Sequence, residues 1–165
     1  MMSRANRKTL LADLTQEVRG WQSDQEIFDS GVAELAGLNR TSWRCLDILS
    51  THGPMTAGHL AKATHLTTGA VTAIVDQLEA AGLVRRRRDT GDRRRVFLEA
   101  TAEVQRRGAP VYGPLIADSV KSLGVFDADQ LNVIIDFLRR ERALLAKHTA
   151  RVHKMLADRG AGTRR

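Results

Sequence analysis

Apolar residues recur along this chain at helical spacings over most of its length. Leu10, Leu14, Val18, Trp21 and Phe28 follow one another at intervals of three, four and seven, which predicts a long helix over residues 5–33. A second helix is predicted from Leu38 to Ser50 on Trp43, Leu46, Ile48 and Leu49, with Asn39 or Thr41 as its cap. Gly53-Pro54 breaks the chain. Thr56 then caps a short helix from Ala57 to Thr64 that turns Leu60 and Ala61 inward. After a turn at His65-Leu66, Thr67 caps a further helix, Thr68 to Ala81, whose inner face is Val71, Ile74, Val75 and Leu78. Gly82 is its stop, in the left-handed conformation.

The period then changes. Leu83-Val84 and Val96-Phe97-Leu98 are short apolar anchors on either side of an arginine-rich bend at Asp89-Thr90-Gly91-Asp92, which predicts a two-stranded ribbon with Gly91 able to take positive φ. Residues 101–123 read as a helix that Pro110 and Pro114 should kink or break. Asp127 opens a last long helix, to about Asp158, with a stripe of Leu131, Ile134, Ile135, Leu138, Leu145, Val152 and Met155 or Leu156. Residues 159–165 read as a disordered tail. The fold class is mainly α, with one small hairpin.

Charge sharpens this picture. The 165 residues carry a net +7. From Arg85 to Arg95, seven arginines against two aspartates give +5, so eleven residues hold most of the excess. Apolar anchors at both ends argue against a solvated linker. A polyanion is the natural partner, double-stranded DNA first, although an anionic membrane surface also suits a basic chain. The single cysteine, Cys45, excludes an internal disulfide and points to a reducing compartment. The basic N-terminus has no apolar run long enough for a signal peptide, and no segment approaches a membrane span, so the cytoplasm is the expected location. The five histidines form no zinc pattern, no cofactor-binding motif is present, and no nucleophile–base pair, paired-acid site or phosphate-cradling loop supports an enzyme.

Two short helices joined by a tight turn, followed by a basic hairpin, make a winged helix-turn-helix. B-DNA's major groove admits one helix, and the second helix of such a pair enters it. Thr67 begins that helix here, and Thr68, Gly69, Ala70, Thr72, Ala73 and Gln77 point outward. Most are small, so the helix can sit deep. Threonine methyls suit thymine, and Gln77 suits adenine. An arginine-tipped hairpin suits the minor groove, with Arg86, Arg88, Arg93, Arg94 and Arg95 as candidate contacts and Asp92 orienting Arg94.

The segment from Gly53 to Leu98 resembles the core of the MarR family of transcriptional regulators. Asp76-Gln77-Leu78-Glu79-Ala80-Ala81-Gly82-Leu83-Val84 matches the end of the family's recognition helix. Asp92-Arg93-Arg94 followed by Val96-Phe97-Leu98 matches its wing, and Gly53-Pro54 with Thr56 fits the entry to the first motif helix. Four features depart from the pattern: His65 stands where glycine is common, Ala73 where arginine is common, the post-wing strand reads Leu98-Glu99-Ala100-Thr101, and the prolines at 110 and 114 are extra.

The resemblance implies a homodimer built from intertwined terminal helices, with Leu10, Leu14, Val18, Leu131, Ile135, Leu138, Leu145 and Val152 at the interface. The expected organisation is an N-terminal dimerisation helix (1–37), a DNA-binding lobe (38–101), C-terminal dimerisation helices (102–158) and the tail. A two-fold dimer sets its recognition helices about 34 Å apart and reads a palindromic operator. Relatives of this kind often hold a small-molecule effector between the dimer helices and the lobe; Trp21, Phe28, Trp43 and Tyr112 are the aromatic candidates, though each also suits core packing. The function read from the chain is a sequence-specific transcriptional regulator, in the repressor sense, released by a ligand. The alternatives are a non-specific or architectural nucleic-acid binder and a module whose basic hairpin meets an acidic protein. Cys45 is expected to be an inert buried thiol.

Overall fold

The computed structural model describes residues 4–92 and 94–162. Helix α1 spans Arg4–Leu35 and α2 spans Arg40–His52. Asn39 is the cap of α2: its side chain accepts a hydrogen bond from the Ser42 N–H at 2.8 Å. Strand β1 (Met55–Thr56) leads into α3 (Ala57–Thr64) and α4 (Thr68–Ala80). Thr56 and Thr67 cap these two helices, accepting from the N–H groups of His59 and Ala70. His65 closes α3 in the left-handed region at φ 60°, ψ 31°, so histidine does here the work that glycine does at lower cost. Gly82 stops α4 at φ 74°, as expected.

Strands β2 (Val84–Arg88) and β3 (Val96–Ala100) form the hairpin. The ribbon has a third member that the apolar pattern did not reveal. β1 pairs antiparallel with β3, Met55 opposite Leu98 and Thr56 opposite Phe97, giving the order β1-β3-β2. Two residues are too few to show alternation, which is why β1 was legible only as a helix cap. The hairpin bend also differs from expectation. Gly91 is not in the left-handed region. The bend is closed by backbone bonds from the Asp89 N–H to the Arg95 carbonyl and from the Arg95 N–H to the Asp92 carbonyl, each 2.9 Å. Two side chains support it: Asp89 Oδ1 accepts from the Gly91 N–H at 3.1 Å, and Asp92 Oδ1 accepts from the Arg94 N–H at 3.0 Å.

The core lies where α2, α3, α4 and the sheet converge. Cys45, Leu46 and Leu49 of α2, Leu60 of α3, Val71, Val75 and Leu78 of α4, and Leu83, Val84 and Leu98 are all buried. Helix α1 adds Val32 and Ala33 at its end, while Leu10 and Leu14 stay about half exposed.

Helix α5 (Ala102–Leu123) runs through Pro110 and Pro114 without a break, where a kink or a break was expected. Each proline removes one helical bond, to the carbonyls of Arg106 and Pro110. The two lie four residues apart on one face, and the bonds of the opposite face carry the helix across. The chain divides into two compact units inside α5, one ending at Gly113 and one beginning at Pro114. The second unit contains α6 (Ala128–Gly162), opened by a reciprocal cap in which Asp127 and Gln130 each accept from the other's N–H. α6 continues four residues past Asp158, so the segment expected to be disordered is helical to Gly162; residues 163–165 lie outside the described residues. Ile135, Leu138, Leu145 and Val152 of α6 are each 42–53% exposed in the single chain.

Candidate nucleic-acid interface

Helix α4 presents Thr67, Thr68, Gly69, Thr72, Ala73 and Gln77 to solvent, with Ala70 half-buried. The opposite stripe, Val71, Val75 and Leu78, fixes that orientation by burial. Two outward side chains have local partners. The Thr72 hydroxyl donates to the Thr68 carbonyl at 2.9 Å. Gln77 is not free to present both ends of its amide: its Oε1 accepts from the Ser42 hydroxyl at 3.2 Å, and Ser42 is fully buried in α2.

The wing divides its arginines by strand face. Val84, Arg86 and Arg88 alternate with Arg85 and Arg87, and Val84 is buried, so Arg86 lies on the side that faces the lobe. Its guanidinium donates to Asp76 Oδ1 at 2.7 Å and to Glu79 Oε2, and its backbone N–H donates to Glu79 Oε1 at 3.3 Å. The hydrogen bond to Asp76, with the two carboxylates' field, raises its pKa further. Arg86 was expected to meet DNA; here its charge is balanced inside the protein, where it ties the wing to the recognition helix.

On the other face Arg85 donates to Glu99 Oε2 at 3.0 Å, and Arg87 approaches the same oxygen at 3.6 Å. The Arg85 hydrogen bond holds the Glu99 carboxyl below the usual carboxylate range. Arg87 and Arg95 both lie over the Phe97 ring, at 5.6 and 5.3 Å. Among the described residues no carboxylate pairs with Arg88, Arg94 or Arg95. These three make the cationic end of the wing. Arg93, also expected there, lies outside the described residues. Asp92 acts on Arg94 through the backbone, by its Oδ1 bond to the Arg94 N–H, rather than through the guanidinium.

The base of the wing is fastened to the end of α4. Thr101 donates its hydroxyl to the Gly82 carbonyl at 2.7 Å and its N–H to the Leu83 carbonyl at 3.0 Å. Arg107 reaches the Ala81 carbonyl at 3.2 Å while bound to Glu103. Hydrogen bonds from Arg106 and Arg107 hold the Glu103 carboxyl down at about 2.

Known proteins resemble this arrangement. The model of the MarR family matches residues 38–96. The chain is 32% identical over 152 residues to the uncharacterised HTH-type transcriptional regulator YcgE of Bacillus subtilis, covering 92% of this chain and 99% of that one. The chain belongs to the MarR family. It is also 29% identical to the HTH-type transcriptional repressor NicR of Pseudomonas putida, over 78% of this chain and 84% of that one. Among solved structures, a MarR family protein from Bacillus stearothermophilus superposes with a TM-score of 0.62 at 20% identity, over 88% of this chain and 99% of the other. The MarR winged-helix fold and a role in DNA-binding transcriptional regulation are therefore those of this chain.

Sequence reasoning missed the partners that position this MarR-family site. Asp76 and Glu79 were read as family motif, not as the acids that hold Arg86, and Ser42 was not singled out. A signal for Arg86 existed: it shares strand parity with the apolar Val84, so it faces inward by period alone.

Away from α4, an open groove of about 320 Å³ runs between α1 and α2, lined by Gln22, Gln25, Glu26, Asp29, Ser30, Arg40, Trp43, Arg44 and Asp47. Of the four aromatic residues expected at a crevice, Trp43 lines it. Trp21 is 60% exposed and does not. Phe28 and Tyr112 pack edge to face, with ring centres 5.8 Å apart. Desolvation within the groove, then the nearby Asp29 carboxylate, push the Asp47 carboxyl up. Arg40 pairs with Glu26 across the groove. Cys45 is fully buried, and burial pushes its thiol up, which outweighs the opposing pull of Arg44. Among the described residues no helix is long and apolar enough to cross a membrane.

Proposed function

We propose that the chain binds a palindromic operator as a homodimer in the cytoplasm, acts as a repressor, and is released by a small molecule held against the α1–α2 groove. The observation that carries the DNA reading is the sorting of charge in the wing. Among the described residues, three arginines at its end have no acid to answer them, whereas those nearer the lobe are paired with acids and build the scaffold. Such a tip fits a narrow minor groove while the small face of α4 enters the adjacent major groove. The dimer reading is supported by apolar rows that a single chain leaves uncovered: Leu10 and Leu14 on α1, and Ile135, Leu138, Leu145 and Val152 on α6. The repressor sense is supported by NicR, which carries that description. The effector reading is supported by a groove whose α2 wall, Arg40, Trp43, Arg44 and Asp47, is the back of the helix that packs on α4.

Non-specific or architectural binding is the second reading. Gly69 and Ala73, whose side chains offer no hydrogen bond to a base edge, favour it.

Selection of duplexes from a random library, with light scattering on the same preparation, separates the two. An inverted repeat with half-site centres about 10 bp apart, bound by a particle of twice the chain mass, is the expected result. Recovery of DNA without a consensus would establish the non-specific reading, and a monomer at micromolar concentration would remove the dimer.

A further inference from the structure

Gly69, Ala73 and Gln77 form one row on α4, each four residues after the last, and all three are exposed. The first two have nothing beyond Cβ, so backbone can approach closely along this row. Gln77 is the member with a hydrogen-bonding head. That head is already half committed. The Ser42 hydroxyl is fully buried, and a buried O–H requires an acceptor. Among the described residues its acceptor is Gln77 Oε1, at 3.2 Å. Ser42 is itself held by the cap of α2, through its N–H to Asn39 Oδ1.

The geometry points to Ser42 as a positioning residue that makes Gln77 a donor-only reader of DNA. With Oε1 turned in, the amide offers its NH2 outward. A free glutamine reads adenine by donating to N7 and accepting from N6. With Oε1 turned inward onto the Ser42 hydroxyl, the outward edge of the amide is its NH2, so adenine's N6 amino group meets a donor with a donor and N7 alone is left to accept. Guanine presents two acceptors, O6 and N7, on the same edge, and is the base that the oriented amide selects. This replaces the adenine preference that Gln77 alone suggests. It rests on the proposal that α4 reads an operator.

The test is duplex selection with the full-length wild type and three variants, each checked by melting temperature. Wild type should enrich guanine over adenine about three- to tenfold at one position in each half-site, the range of one ordinary hydrogen bond. Gln77→Ala should lose that preference at that position and no other. Gln77→Glu, which offers only acceptors, should convert it to cytosine through N4. Ser42→Ala should bring guanine and adenine to near parity, with the other positions unchanged, because the amide is then free to turn over. A merely structural role for Ser42 would lower the melting temperature and leave the base ratio intact. That outcome, or an unaltered consensus in Gln77→Ala, overturns the inference while leaving operator binding intact. The surface variants keep the test decisive if Ser42→Ala fails to fold. Absence of any consensus in the wild type would instead remove the operator reading itself, and this inference with it.

Discussion

Arg86 distinguishes a phosphate contact from an internal brace, and its removal has a calculable signature. Its guanidinium spans Asp76 and Glu79, with the arginine side chain 34% exposed and the acids 61% and 39%. Exposed pairs of this kind contribute about 0.2–1 kcal/mol each, so the two together hold the wing against α4 with about 0.4–2 kcal/mol. Arg86→Ala should therefore lower the melting temperature by about 1–8 °C for a chain of this size. It also leaves Asp76 and Glu79 unanswered beside the DNA face. At about 10 Å and near-aqueous dielectric, each repels a phosphate by about 0.4 kcal/mol. Repulsion of about 0.8 kcal/mol in all, with up to about 2 kcal/mol of lost bracing, predicts a loss of affinity between about fourfold and about a hundredfold at about 1.4 kcal/mol per tenfold step.

The decisive reading is the salt dependence, measured by fluorescence anisotropy on a selected duplex between about 50 and 200 mM KCl. A phosphate contact contributes about 0.9 to the slope of log K against log salt, and an internal brace contributes almost nothing. The slope for Arg86→Ala should stay within about half a unit of wild type, and adding Asp76→Asn and Glu79→Gln should recover part of the affinity. A slope reduced by about one unit per protomer, with unchanged melting, would show that Arg86 meets DNA and that the brace is irrelevant.

Three other outcomes follow from the same geometry. Leu78→Ala empties a fully buried site between α4 and the sheet and should cost about 2–5 kcal/mol, read by urea denaturation; a loss below 1 kcal/mol would mean that the core collapses around it. Glu103 is held at about 2 from an ordinary 4.5, a lowered pKa, so the stability that it contributes is complete above about 4.5 and fades as pH falls toward 2. Thermal melts of wild type and Glu103→Gln should converge over that window; a constant gap would assign the difference to something other than this carboxylate. Cys45 should resist thiol reagents in the folded protein, and DNA binding should survive peroxide, since its thiol is buried with a raised pKa. Rapid labelling under native conditions would contradict that placement.

Local signals along the chain determined most of the secondary structure and the location of the interface. The caps at Asn39, Thr56, Thr67 and Asp127, the stops at His65 and Gly82, and the apolar anchors around the arginine run are all short-range effects, and the structure contains each of them. Pairing across distance was not legible. β1 is too short to show a period, and only β3 beside it makes it a strand. The helix through Pro110 and Pro114 stands against local propensity, which counts each proline as a break and takes no account of the bonds on the opposite face. Charge shows the same division. The sequence determined that this MarR-family chain carries a dense cluster of arginines, because composition is local. Tertiary structure decided which of them are spent, because whether Arg86 finds Asp76, or Gln77 finds Ser42 35 residues away, depends on how strands and helices meet.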